Sequence, residues 1–94
     1  MIGIRMLGRG DHWASITLSA KQPGRWQLTW HDGDGPIGDT LRDTIGEVIV
    51  EALRDGYRYD RAIGPLAEMG AVLVQLEQAK LDLARIARIA WTVP

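Results

Sequence analysis

Three stretches in the first third of the chain carry apolar side chains at every second position, always on even numbers. They are Ile2, Ile4 and Met6; Ala14, Ile16 and Leu18; Trp26, Leu28 and Trp30. A period of two marks a half-buried strand, one row turned to a core and the other to water. Gly8-Arg9-Gly10 and Gln22-Pro23-Gly24 separate the stretches as hairpin loops. A slip of one residue would turn every side chain over, so opposed residues must have numbers of even sum. Three-residue loops satisfy this by pairing Ile4 with Ala14 and Arg5 with Trp13, then Ile16 with Trp30, Leu18 with Leu28 and Lys21 with Arg25. Pro23 sits uneasily in the second loop, which leaves a bulge or a longer loop open there.

Residues 32–39, Asp-Gly-Asp-Gly-Pro-Ile-Gly-Asp, hold too much Gly and Asp for regular structure and are expected to form a connector. Leu41, Ile45, Val48, Ile49, Ala52 and Leu53 then recur at helical spacing, predicting a helix over 40–56. Asp39 or Thr40 caps its start, Asp43 suits the positive end of its dipole, and Gly56 ends it. Residues 57–63 read as a short linker or a turn of helix. Gly64-Pro65 opens a second helix over 64–91, roughly 40 Å long at 1.5 Å per residue. Its main stripe is Leu66, Met69, Val72, Leu73, Leu76, Leu83, Ala87 and Ala90, interrupted by Lys80, with Val74 and Leu81 behind it.

The expected architecture is therefore one α+β domain over residues 1–94. It is a three-stranded antiparallel meander (1–31) followed by two helices packed on one face, β-β-β-α-α. The core gathers the even rows together with Leu41, Ile45, Val48, Ile49, Leu53, Leu66, Met69, Leu73, Leu76 and Leu83. At 94 residues with 46% hydrophobic side chains, such a core needs no cross-link or metal.

Chemistry is sparse. The absence of cysteine removes disulfides, thiol catalysis and Cys-ligated zinc. The chain holds two histidines, and Ser15 and Ser19 are expected mid-strand on an open face rather than at a strand end or turn, so no nucleophile–base–orienter set assembles. Asp32, Asp34 and Asp43 occupy positions 1, 3 and 12 of a calcium-loop count. Pro36 and Ile37 nevertheless stand where a ligand and the sharp-turn glycine belong, and turn chemistry explains the aspartates. No enzyme activity, metal or cofactor is expected. No segment is long and apolar enough to span a bilayer and no signal peptide opens the chain, so a cytoplasmic location is expected.

Two binding classes remain. The odd-numbered sheet face would present Arg5, Trp13 and Arg25, and the linker that follows the first helix adds Tyr57, Arg58, Tyr59 and Arg61; this is the expected partner face. An aromatic among basic groups can stack a base and neutralise phosphate. Charge is uneven in that sense: residues 1–31 hold four basic and one acidic side chain, residues 32–60 three and eight. The net charge of −1 lacks the usual nucleic-acid footprint, however. Tryptophan, tyrosine and arginine are also the side chains enriched at protein interfaces.

A helix with apolar residues on two sides favours protein association, and Val74, Leu81 and Arg85 are the expected seam of a homodimer. Trp13 to Ile45, with Gly38-Asp39-Thr40-Leu41 opening an amphipathic helix, resembles the N-terminal part of HicB-type antitoxins without their Pro-Asp-Leu-Pro-Gly segment. That resemblance implies a small protein-neutralising module; small size without a catalytic set or localisation signal also suits the accessory proteins that phages and plasmids encode. The expected function is thus a non-enzymatic protein-binding module, an inhibitor or adaptor that occludes a surface of another protein. Nucleic-acid binding through the outer sheet face and the Arg/Tyr linker is the alternative.

Overall fold

The computed structural model describes residues 3–92, with side chains described over 3–89. Ile2, expected in the core, and the Trp91 side chain lie outside the described residues. Strands β1 (Gly3–Leu7), β2 (Trp13–Leu18) and β3 (Trp26–Asp32) form the two expected antiparallel hairpins. The sheet does not stop at three strands. β4 (Gly35–Arg42) adds to β3 and β5 (Arg58–Ile63) adds to β1, giving the antiparallel order β4-β3-β2-β1-β5. Helix α1 (Ile45–Arg54) runs between β4 and β5, and α2 (Gly70–Thr92) follows β5 after a single 3-10 turn at Gly64–Leu66. The β-β-β-α-α expectation is therefore overturned: the helices are interleaved with strands at both sheet edges.

Both missed strands lack alternation for physical reasons. In the 32–39 run, Asp32 Oδ1 accepts hydrogen bonds from the Asp34 and Gly35 amides at 2.8 and 3.2 Å. This side-chain turn makes the run a tight hairpin rather than a connector. Along β4 the inward positions are Gly38, Thr40 and Arg42, opposite Trp30, Leu28 and Trp26, so no apolar row exists to read. Pro36 is tolerated because β4 is an edge strand. In β5 a bulge at Asp60 sets Tyr59 opposite Met6 and Ala62 opposite Ile4. The two inward residues are three apart, and a period of two disappears.

Parity holds across the hairpins, but each register is shifted by two. Ile4 pairs with Ile16, Arg5 with Ser15, Ile16 with Leu28 and Leu18 with Trp26. Both loops are longer than three residues. The Gly8 amide donates to the His12 carbonyl at 2.9 Å across the first, with Gly10 at φ +59. The Ser19 amide donates to the Arg25 carbonyl at 2.9 Å across the second.

α1 begins later than its apolar stripe suggests. Thr44, not Asp39 or Thr40, is the N-cap: its Oγ1 accepts from the Glu47 amide at 3.2 Å, while Glu47 Oε2 accepts from the Asp43 amide at 3.2 Å. The Thr-x-x-Glu spacing is a variant of the capping box. Leu41 lies in β4 opposite Gln27, on the far face of the sheet. Gly56 ends α1 as expected, at φ +89. Its amide bonds the Leu53 carbonyl and the Tyr57 amide the Ala52 carbonyl, both at 3.0 Å, the paired bonds of a Schellman motif.

The core lies on the even-numbered sheet face. Ile4, Met6, Ala14, Ile16 and Leu28 are buried against Val48, Ile49 and Ala52 of α1, Val74 of α2 and the ring of Tyr57. Trp26, Trp30, Ile45, Leu53, Tyr59, Ala62, Leu66 and Leu73 pack around this centre. α2 is rotated relative to expectation. It docks through Gly70 and Val74, and Leu18, Met69, Leu76 and Leu83, assigned to the core from sequence, are exposed. Small residues permit this approach: a Cβ on Gly70 would stand 2.5 Å from Ala62 Cβ and 3.4 Å from the Tyr59 ring. Beyond Leu81 every described side chain of α2 is exposed, so the helix projects and the molecule measures 49 × 29 × 24 Å. No helix among the described residues is long and apolar enough to cross a membrane.

Leu28→Ala and Ile49→Ala should each cost ~2–5 kcal/mol in chemical denaturation, while Lys21→Ala, in an exposed loop, stays within about 0.5 kcal/mol of the parent. Losses below ~1 kcal/mol at both core positions would reject the face assignment. Gly70→Ala should lower stability even though alanine favours a helix by about 1 kcal/mol, because its methyl meets Ala62; a raised melting temperature would show that α2 is not held against β5.

Candidate interaction surfaces

Two faces of the molecule are left open by the packing. The first is the odd-numbered face of the sheet, which neither helix covers. β2 lies between β1 and β3, so Trp13 is approached from both sides. The His31 ring stacks on it from β3 at 3.7 Å between centroids and 5° between planes. The Arg5 guanidinium stands 4.7 Å from the indole centroid. A ring at 3.7 Å fills the face it covers, so the cation occupies the other one. Trp13 is thus sandwiched, and neither of its faces is free to stack a base.

Around this sandwich the polar groups engage one another. Arg5 Nε is buried without a hydrogen-bond partner among the described residues and has the Asp60 carboxylate 3.6 Å away. Gln27 Nε2 donates to Asp39 Oδ2 at 2.9 Å. Ser15 Oγ and His31 Nε2 share a hydrogen bond of 3.1 Å. A serine beside an imidazole invites a nucleophile reading, yet Ser15 is buried in the middle of β2. Paired strands flank it on both sides, so no backbone amides converge there as oxyanion donors. Burial and, secondarily, the Arg5 charge hold the His31 pKa below its ordinary 6.5.

The expected partner face is only partly assembled. Arg5, Trp13 and Arg61 come together, Arg61 being opposite Arg5, and Arg58 is exposed opposite Leu7. Arg25 lies at the other end of the sheet, roughly 20 Å along β3 from His31 at ~3.3 Å per residue. There its guanidinium donates to Asp43 at 3.1 Å and Gln22 at 2.8 Å. Tyr57 belongs to the core, its ring against Gly8, and its phenol pKa is raised by burial and by Asp55. Tyr59 faces inward beside Met6.

Two of the three acidic positions that match a calcium-loop count are engaged locally. Asp32 closes the β3–β4 turn and Asp43 pairs with Arg25. No group of three or more His, Asp or Glu side chains among the described residues is placed to hold a metal ion. A recess of about 340 Å³ between Thr17, Leu18, Trp26, Pro65 and Leu66 is apolar and carries no titratable group.

The second open face is the outward side of α2. The expected dimer seam does not lie there as a unit: Val74 is 5% exposed in the monomer's own core, Leu81 is half-buried on the same side, and Arg85 is exposed. The opposite side carries Met69, Val72, Leu76, Leu83 and Ile86, which are 51–65% exposed, with exposed Ala79 among them. Sequence alone put Met69, Val72, Leu76 and Leu83 on the main stripe and turned it inward, because bulk normally seeks the core, and it left Ala79 and Ile86 unassigned. The signal that marks the docking side is instead its small residues, Gly70, Ala71 and Val74.

No family model, curated protein or solved structure matches this chain. The Gly38-Asp39-Thr40-Leu41 run that carries the likeness to antitoxins lies within β4, not at a helix start.

Because protonating His31 is disfavoured in the folded state, the unfolded chain binds the extra proton and stability should fall as pH drops through 6.5, levelling below the folded midpoint. An NMR titration of the His31 ring should give that midpoint below 6.5, and Arg5→Gln should move it upward. A midpoint at or above 6.5 would contradict the buried, cation-flanked setting.

Proposed function

We propose that this chain is a non-enzymatic protein-binding module, an inhibitor or adaptor that works by covering a surface of its partner. The observation that carries this is the outward face of α2, where Val72, Leu76, Leu83 and Ile86, with Met69 just before the helix, stand more than half exposed in one row. Single exposed apolar residues are ordinary, but a continuous row on a projecting helix is the form of an interaction site. Its rim supplies polar groups: Gln78 donates to Asp82 at 3.1 Å and Lys80 to Glu77 at 3.1 Å. An amphipathic helix laid against an apolar surface is a recurrent recognition mode. The outer sheet face supports nucleic-acid binding less well, since its single tryptophan is capped on both sides by Arg5 and His31.

Where the row is not covered by a partner, Leu76→Lys/Leu83→Lys should abolish binding of an apolar fluorescent dye and retention on a hydrophobic column, with the sheet and α1 still folded. Equal dye binding by a monomeric parent and its variant would remove the reading. Capture of a single-stranded oligonucleotide, weakening steeply with salt and lost in Arg5→Gln, would favour nucleic acid instead.

A further inference from the structure

The exposed row on α2 is not merely apolar; it has a period. Met69, Val72, Leu76, Ala79, Leu83 and Ile86 are separated by three, four, three, four and three residues, and the sequence carries the same spacing on to Ala90 and Val93. Alternate steps of three and four are the a and d positions of a heptad, with Met69, Leu76 and Leu83 at a and Val72, Ala79 and Ile86 at d. A helix that only covers a sheet has no need of a strict 3.5-residue repeat, which is what keeps a seam facing a second supercoiled helix. The domain packs on the other side of α2, through Gly70, Val74 and Leu81, so its body leaves this seam clear.

We propose that the occupant of the seam is α2 of a second copy of this chain, joined as a two-helix coiled coil. This rests on the proposed function and names the partner of that face. Such a seam is complementary to itself, as a twofold interface requires. Five side chains at about 100 Å² each, taken from both copies, bury on the order of 1,000 Å², the size at which an interface becomes specific. The flanking positions raise no conflict. In a parallel pair Gln75 meets Lys80 of the second copy, and Asp82 meets Ala87, so like charges stay apart. Ala79, the one small seam residue, lets the helices approach closely at the midpoint.

Sedimentation of the full chain should give twice the 10.4 kDa chain mass. Leu83→Asp/Ile86→Asp lies in the projecting half, away from the core, and should give a folded monomer with unchanged far-ultraviolet helicity apart from the α2 end. Because the chain has no cysteine, Ile86→Cys should form a spontaneous disulfide dimer if the pair is parallel. A mixture of Leu76→Cys and Ile86→Cys chains should cross-link instead if it is antiparallel. A dimer that survives the aspartate pair overturns self-pairing through α2. A parent that stays monomeric at its highest soluble concentration, yet loses dye binding in the Lys variant, overturns self-pairing while leaving α2 as a surface for another protein. A monomeric parent with no dye binding defeats both.

Discussion

The arrangement turns on one buried layer: Ile4, Met6, Ala14, Ile16 and Leu28 on a single sheet face, closed by Val48, Ile49, Ala52 and Val74. Hydrogen bonding holds the five strands in order, but it is the apolar face that decides where each helix can lie. α1 links β4 at one edge to β5 at the other in the chain, and packs over β4, β3 and β2 with its most apolar side down. Once α1 covers that ground, the space left for α2 is narrow and runs beside β5. A close approach there requires small side chains, and Gly70 against Ala62 meets that need where a leucine could not.

The rotation of α2 follows from this competition. Of its two apolar sides, the bulkier one would bury more area per residue, but it would hold the helix away from Tyr59 and Ala62. The leaner side packs, and the bulkier one is left in the solvent of a single molecule. The heptad spacing on that bulky side gives the exposure a purpose, because a second helix can recover the area that the sheet could not use. The projecting end of α2 fits the same account, since it passes beyond anything in its own fold that could shelter it.

The other open face behaves in the opposite way. Arg5, Trp13, His31 and Ser15 engage one another across three strands, through a cation over one indole face, a ring stacked on the other and a hydrogen bond from that ring to Ser15. A side chain used on both faces stabilises the sheet rather than waiting for a ligand. That leaves α2 as the face whose groups are not already matched within the chain.

How much of this was present in the amino-acid order depends on which interactions are local. The even-numbered rows named the buried face of β1–β3 and the parity of their pairing, because a strand's two faces are set by its own alternation. Gly56 as the end of α1 was legible for a similar reason, a left-handed turn being a property of a few adjacent residues. β4 and β5 were not, since Gly38 and Thr40 or Tyr59 and Ala62 become an inward row only beside Trp30, Leu28, Met6 and Ile4. The outward direction of Met69, Val72, Leu76 and Leu83 was likewise beyond local pattern. A helix with two apolar sides carries no label for which one faces in; that choice belongs to the depth of the gap beside β5 and to the ground α1 had already taken.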